Sequence, residues 1–374
     1  MDSSFNTSSV SSFSISINTN PASVLQIEER KASSSKRSPI FMGCCAEGKV
    51  ILPSLQDPPP ILYALLTSTN ARARNFHQRI RSYNSALAFT SIGANIDDSV
   101  TSVGGVYMFR IHGKMYHNIG SLLLAQPGAS PHFAQIYVYD TEHKLQNRMN
   151  VMPSLDASVL ADLQQMLDQV NPYVTVFRQV RNKLTQKPAT TLSMIIRADR
   201  TADLRRYNIS AANEVAAILV GNEHETEPSH RDIVLSLCNG TLQRISELHR
   251  SYILLHYVLL FPRGEDDSMC DDNESSHIAR HRFVTLMQFY AYRLHVRIKE
   301  RSGLHLADCL FQQYIVNTYA VIEQNWLNFL KSNQKKICTE LYQGLQDVFQ
   351  TANVQQGGEI GQRIVLPSTF MGGP

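Results

Sequence analysis

The chain has 374 residues, 43% of them hydrophobic and 18% charged, and its 35 Lys and Arg against 32 Asp and Glu give a formal net charge of +3. Globular chains carry about 25% charged residues, so this one can bury a core while being sparing with surface ions. That balance excludes a histone-like polycation and an acidic tail protein, and any nucleic-acid role has to come from local clusters.

In chain order, residues 1–40 hold thirteen Ser and almost no periodic apolar pattern. Such a segment cannot offset its ordering entropy and is expected to be disordered. It ends in a small basic cluster, Lys31 to Arg37. Pro58-Pro59-Pro60 open a short helix over Ile61–Thr67, since proline is tolerated only at a helix start. Ala71–Tyr83 is predicted helical, with Phe76 and Ile80 on one face. Leu87–Ile92 is a candidate strand. Val106–His112 and Lys114–Ile119 read as a hairpin turned at Gly113, and Phe133–Tyr139 reads as a third strand, because β-branched and aromatic residues dominate all of them.

Asp156–Val170 spaces Val159, Leu160, Leu163, Met166, Leu167 and Val170 at three and four, the period of a helix, and Asn171-Pro172 stops it. Val174–Leu184 is a further helix. Thr191–Ile196 and Ile233–Leu237 are predicted strands, with apolar Ala212–Leu219 between them and a polar loop at Glu223–His230. The apolar run Tyr252–Phe261 leads to an acidic loop, Glu265–Glu274. Val284–Arg301 and Asp308–Phe349 are helical, the second with Phe311, Ile315, Ile322, Trp326 and Leu330 in register and a break expected near Lys331–Gln334. These elements make an α+β fold: a disordered tail at 1–40, a β-rich region at 41–150, a mixed α/β region at 151–281 and a mainly helical region at 282–374.

No stretch approaches the ~18–20 apolar residues of a spanning helix, and the first residues lack a secretory pattern, so the expected location is the nucleus or cytoplasm. Cys44, Cys45, Cys238, Cys270, Cys309 and Cys338 contain no Cys-x-x-Cys, and a vicinal pair is poor disulfide geometry. Reduced thiols are expected.

The motifs for catalysis are incomplete. Gly43–Val50 has the frame of a phosphate-binding loop, but Val50 stands where a magnesium-holding Ser or Thr is required, and Ile51-Leu52-Pro53 cannot open a helix. His277 and His281 sit four apart, yet Ile278 occupies the place of the catalytic Glu. There is no His-x-His pair and no Gly-x-Ser-x-Gly. The sequence therefore points to no catalytic residue, no cofactor and no metal.

Basic residues interleaved with aromatics are the positive signal. Arg72, Arg74, Arg79, Arg81 and Tyr83 form one group. Arg197, Arg200, Arg205, Arg206 and Tyr207 form a second. Arg280, Arg282, Arg293, Arg297, Lys299 and Arg301, with Tyr290 and Tyr292, form a third. Guanidinium groups suit phosphate contacts and aromatic rings can stack on unpaired bases. The candidate nucleic-acid contacts are Arg79, Arg81, Arg205, Arg206, Arg282, Tyr290, Arg293 and Arg297, with single-stranded DNA as the expected partner.

Several blocks carry a family resemblance: Cys44–Pro53, Ile80–Asp97, Tyr107–Leu123, Phe133–Thr141, Arg205–Gly221, Leu255–Asp267, Arg282–Leu294, Leu310–Leu327 and Gly361–Pro374. In this order they resemble the N-terminal, helicase-like region of Helitron rolling-circle transposon proteins. The resemblance implies a piece of a transposon replicase and helicase, truncated before the family's His-hydrophobic-His nuclease and its helicase, whose other parts would be its partners if encoded downstream. The family often has a Cys-x-x-Cys pair ahead of Cys44-Cys45; here the Ser-rich tail takes its place, which speaks against zinc. Cys309, Asn317 and Trp326 depart from the residues usual in the family. The function implied is a non-catalytic DNA-binding or accessory region. The alternative is a transposon remnant or host protein-interaction module that binds no nucleic acid.

Overall fold

The computed structural model describes residues 12–15, 47–48, 50, 52, 54–96, 109–120, 131–139, 143–186, 192–196, 217–220, 233–236, 243–246, 249, 251–264, 285–296 and 302–333. Its elements are β1 (Ser12–Ile15), α1 (Pro60–Thr67), α2 (Ala71–Leu87), β2 (Ser91–Ile96), β3 (Phe109–Ile119), α3 (Ala134–Tyr139), α4 (Lys144–Val151), α5 (Ala157–Val170) and α6 (Pro172–Gln186). Then follow β4 (Leu192–Ile196), β5 (Ala217–Val220), β6 (Ile233–Ser236), β7 (Gln243–Ile245), α7 (Ser251–Leu254), α8 (Leu286–Leu294), a 3-10 turn at His305–Ala307 and α9 (Asp308–Ser332). The fold is α+β, as the composition of elements in the sequence implied.

β3 is the organising strand. β2 pairs with one of its edges, Ser91 to Asn118 through Ile96 to Ile111, with a register shift between Gly93 and Asn95. β1 and β7 share the other edge, at His112–Phe109 and His117–Ile119 respectively. A second sheet has the order β5-β4-β6. Every strand pair described is antiparallel. β1 lies within segment 1–40; the rest of that segment, the cluster Lys31–Arg37 included, is outside the described residues.

Three local expectations are corrected. Gly113 does not turn a hairpin: β3 continues through it from Phe109 to Ile119, because the strand is paired with neighbours before and after residues 113–115, where its register with β2 shifts. Phe133–Tyr139 is not a strand but the helix α3. Its Ala134, Ile136, Tyr137 and Val138 are all buried, with Tyr137 4.6 Å from Phe89 between ring centroids. Strand propensity is context-dependent, and burial on several sides overrides it. Leu87 ends α2 rather than opening a strand, and β2 begins at Ser91.

Elsewhere the periodicities translate directly. Pro60 is the first residue of α1, and Asp156 caps α5 by accepting from Ser158 and Val159 backbone N–H groups. Asn171 both ends α5 and caps α6, accepting from Tyr173 N at 3.0 Å. α9 stops at Ser332, where the break was expected.

One core cluster joins residues from Val50 to Val321. At its centre lies the run 251–262, buried at every position and mostly irregular, so side chains must satisfy its backbone. Asn84 of α2 donates to His256 O at 2.9 Å and accepts from Leu259 N at 3.2 Å. Asn171 donates to Pro262 O at 3.1 Å, and Phe89 N donates to Leu255 O at 2.9 Å. His117 Nδ1 lies 2.9 Å from Tyr252 O, and a carbonyl only accepts, so Nδ1 carries the proton. Its Nε2 then accepts from the Asn317 amide at 3.1 Å. His256 Nδ1 donates to Thr90 O at 3.1 Å. The two imidazoles are 4.5 Å apart and both are neutral, since burial pushes the His256 pKa down to about 4 and that of His117 well below the usual value.

Candidate nucleic-acid interface

The arginines of α2 are drawn largely into the protein. Arg72 pairs with Asp162 of α5 and donates to Ser158 O. Arg79 sits at a kink, with φ −124° and ψ 17°, and its guanidinium donates to Ser154 O. Arg81 is half-buried and close enough to Cys309 to oppose the rise that burial gives its thiol pKa. Arg74 is exposed. Arg72 and Arg79 are held by Ser154, Ser158 and Asp162, so the group does not share one outward face.

On α8 the sequence expectation fails for two residues. Tyr290 is 1% exposed, with its ring edge-on to Phe289 and Tyr314 at 5.3 and 6.4 Å. Burial raises its hydroxyl pKa far above the usual value. A ring enclosed this way cannot stack on a base. Arg293 is also buried, its guanidinium 5.9 Å over the Phe289 ring, so it cannot serve as a peripheral phosphate contact. The reason is helical geometry: α8 buries Leu286, Phe289, Tyr290, Tyr292 and Arg293, too wide a stripe to leave an aromatic-basic face outside. Arg205, Arg206, Arg282 and Arg297 lie outside the described residues, as do the acidic loop Glu265–Glu274, His277 and His281.

The exposed aromatics that the sequence reading missed are on α9. Tyr319 is 53% and Trp326 47% exposed, seven residues and two turns apart, with Phe329 following them at the surface. Trp326 keeps the helical spacing of Phe311, Ile315 and Ile322, yet its side chain reaches solvent. The opposite side of α9 carries Leu310, Tyr314, Asn317, Thr318 and Val321 into the core, against β3, α2 and α8. A helix of period 3.6 buries only what other elements cover, and Tyr319, Trp326 and Phe329 lie off the side that meets β3, α2 and α8. The signal that could have found this face is the pair of large aromatics placed beside Glu323, Gln324 and Asn328 rather than among other apolar residues.

The described residues include no group of three or more His, Cys, Asp or Glu able to hold a metal ion. Among them, no helix is long and apolar enough to cross a membrane. Cys309 is a free, half-buried thiol.

Residues 289–374 match the family model described as the Helitron helicase-like domain at the N-terminus, which relates this chain to proteins of Helitron transposons. No curated protein matches the chain.

Proposed function

We propose that this chain, which carries a Helitron helicase-like domain at residues 289–374, is a DNA-binding accessory region of a Helitron replicase and helicase, working on single strands and catalysing nothing itself. The observation that carries the reading is the pair Tyr319 and Trp326, half-exposed on the outer side of α9 and inside the matched segment. Base stacking on such rings is worth about 1–3 kcal/mol per base and needs no particular sequence. Arg74, exposed on α2, and the basic residues of the second and third sequence groups other than Arg293 would supply phosphate contacts.

Trp326 is the single tryptophan of the chain, so its fluorescence reports directly on this surface. Single-stranded oligonucleotide should quench it, with an affinity whose log–log salt slope is about −0.7 per phosphate neutralised. Tyr319→Ala should weaken binding by about 1–3 kcal/mol without altering the fold, because the ring is exposed. The same preparation should neither hydrolyse ATP nor nick DNA with magnesium or manganese. A tryptophan that stays unquenched at 50 mM salt, with no oligonucleotide bound, would reject the reading.

A second reading has its own observation. Met287, Tyr319, Trp326 and Phe329 are all exposed large apolar residues, while Arg72 and Arg79 are spent on contacts inside the chain. That combination suits a protein-interaction module without nucleic-acid binding.

A further inference from the structure

Helices α4, α5 and α6 bring three cations to one carboxylate. Asp168 Oδ2 lies 3.7 Å from Lys144 Nζ and 2.5 Å from Arg178 Nη2. Arg148, one turn along α4 from Lys144, donates from Nε to Ala86 O at 2.9 Å and from Nη1 to Gln164 Oε1, with its guanidinium 4.8 Å over the Tyr137 ring. Lys144 is 2% and Arg148 1% exposed. Among the described residues, no group pairs with Arg148 Nη2, Arg178 Nε or the second Asp168 oxygen, all of them buried atoms.

A buried charge is tolerable only when it is paired, and among the described residues Asp168 is the carboxylate within ion-pair distance of both Lys144 and Arg178. Tyr137 cannot make up the difference, because its hydroxyl donates to Leu87 O at 2.6 Å and burial holds it protonated. A guanidinium group keeps its charge in a protein. Burial lowers the pKa of Lys144, with Asp168 opposing, but a neutral Lys144 would still leave two guanidinium groups against one carboxylate. Arginine N–H groups suit the oxygens of a tetrahedral oxyanion.

We propose that Lys144, Arg148 and Arg178 form a binding site for a dianionic phosphate, which offsets the positive charge that Asp168 leaves among the described residues. Arg178 and Asp168, both partly exposed, form its mouth, and Lys144 and Arg148 its floor. The dianion has two sources, inorganic phosphate and the terminal phosphomonoester of a nucleic-acid strand. An internal phosphodiester carries a single charge and fits less well. The site lies on α4–α6, away from Tyr319 and Trp326, and does not depend on the proposed function.

The test is thermal unfolding of the whole chain with inorganic phosphate titrated against chloride at constant ionic strength, above pH 7, where phosphate is mainly a dianion. A saturable rise in Tm is expected. Arg178→Gln should raise the phosphate Kd about tenfold or more, the worth of one charge-assisted contact. Asp168→Asn should lower it, by removing the competing carboxylate. Circular dichroism checks that each variant folds, and the two variants predict opposite signs, so a loss of fold in one leaves the other decisive. No saturable rise beyond chloride, or an unchanged Kd in Arg178→Gln, overturns the proposal. A 5′-phosphorylated oligonucleotide that displaces phosphate when its unphosphorylated twin does not assigns the strand terminus; displacement by neither assigns free phosphate. Equal displacement by both overturns the dianion specificity. Trp326 quenching is read separately, so failure of either idea is distinguishable from failure of the other.

Discussion

Asn84 shows how a single side chain makes an otherwise costly segment tenable. Its amide holds His256 O and Leu259 N together, two groups of the buried run 251–262 that no helix or sheet satisfies. His117 does the same for Tyr252 O, and its ring stacks on that of Tyr252 at 4.0 Å. An unmade buried hydrogen bond costs about 1–3 kcal/mol, so these polar residues belong to the core as firmly as Leu163 or Phe177. Tyr290 belongs there too. Tyr290→Ala should destabilise the protein by about 3–5 kcal/mol, as other buried aromatic truncations do. Urea unfolding would measure this, and a variant with unaltered stability but weakened DNA binding would contradict the buried placement.

The helices are held at their ends by local chemistry that reads straight off the sequence. α8 is the clearest instance: Thr285 Oγ1 accepts from Gln288 N at 3.2 Å, and Gln288 Oε1 accepts in return from Thr285 N at 3.1 Å. This reciprocal capping box satisfies two of the donors that every helix start leaves open. Thr285→Ala should cost about 1 kcal/mol, a loss measurable by thermal unfolding, and Thr285→Asp should restore most of it. Between elements the fit is tighter. Gly93 of β2 faces Tyr116 of β3, and a Cβ there would fall 2.1 Å from the Tyr116 ring. The glycine is what allows the two strands to keep an aromatic side chain over their surface, in cation–π contact with Arg244 at 5.0 Å.

At the scale of the whole molecule, the neutral imidazoles link stability to acid. In the unfolded chain a histidine takes up its proton near pH 6.5, whereas folded His256 resists protonation down to about pH 4. The unfolded state therefore binds the proton first, and stability falls as pH drops from about 6.5 to about 4, then levels off. For His256 the loss is on the order of 3 kcal/mol, and His117 acts in the same direction. Urea unfolding at pH 7.5 and at pH 4 should differ by at least this much. Equal stability at the two pH values would mean that these rings are not buried as neutral groups.

What the sequence determined by itself is whatever depends on neighbours along the chain. The helices α1, α2, α5, α6 and α9, their proline and Asp156 or Asn171 starts, the end of α9 near Lys331, and the strands β4 and β6 all follow from periodicity and capping, which act within one or two turns. The family resemblance followed in the same way, from blocks of local sequence, and the match over residues 289–374 agrees with it. The tertiary structure decided what depends on partners distant in sequence. It carried β3 on through Gly113 by pairing the strand on either side of it, and it folded Phe133–Tyr139 into a helix by enclosing it. It took Tyr290 and Arg293 out of reach of DNA and turned Tyr319 and Trp326 outward. It also brought Lys144 and Arg148 of α4 and Arg178 of α6 beside Asp168 of α5. A helical pattern names the residues that can share a face. Which face meets water is fixed only when another element comes to cover the other side.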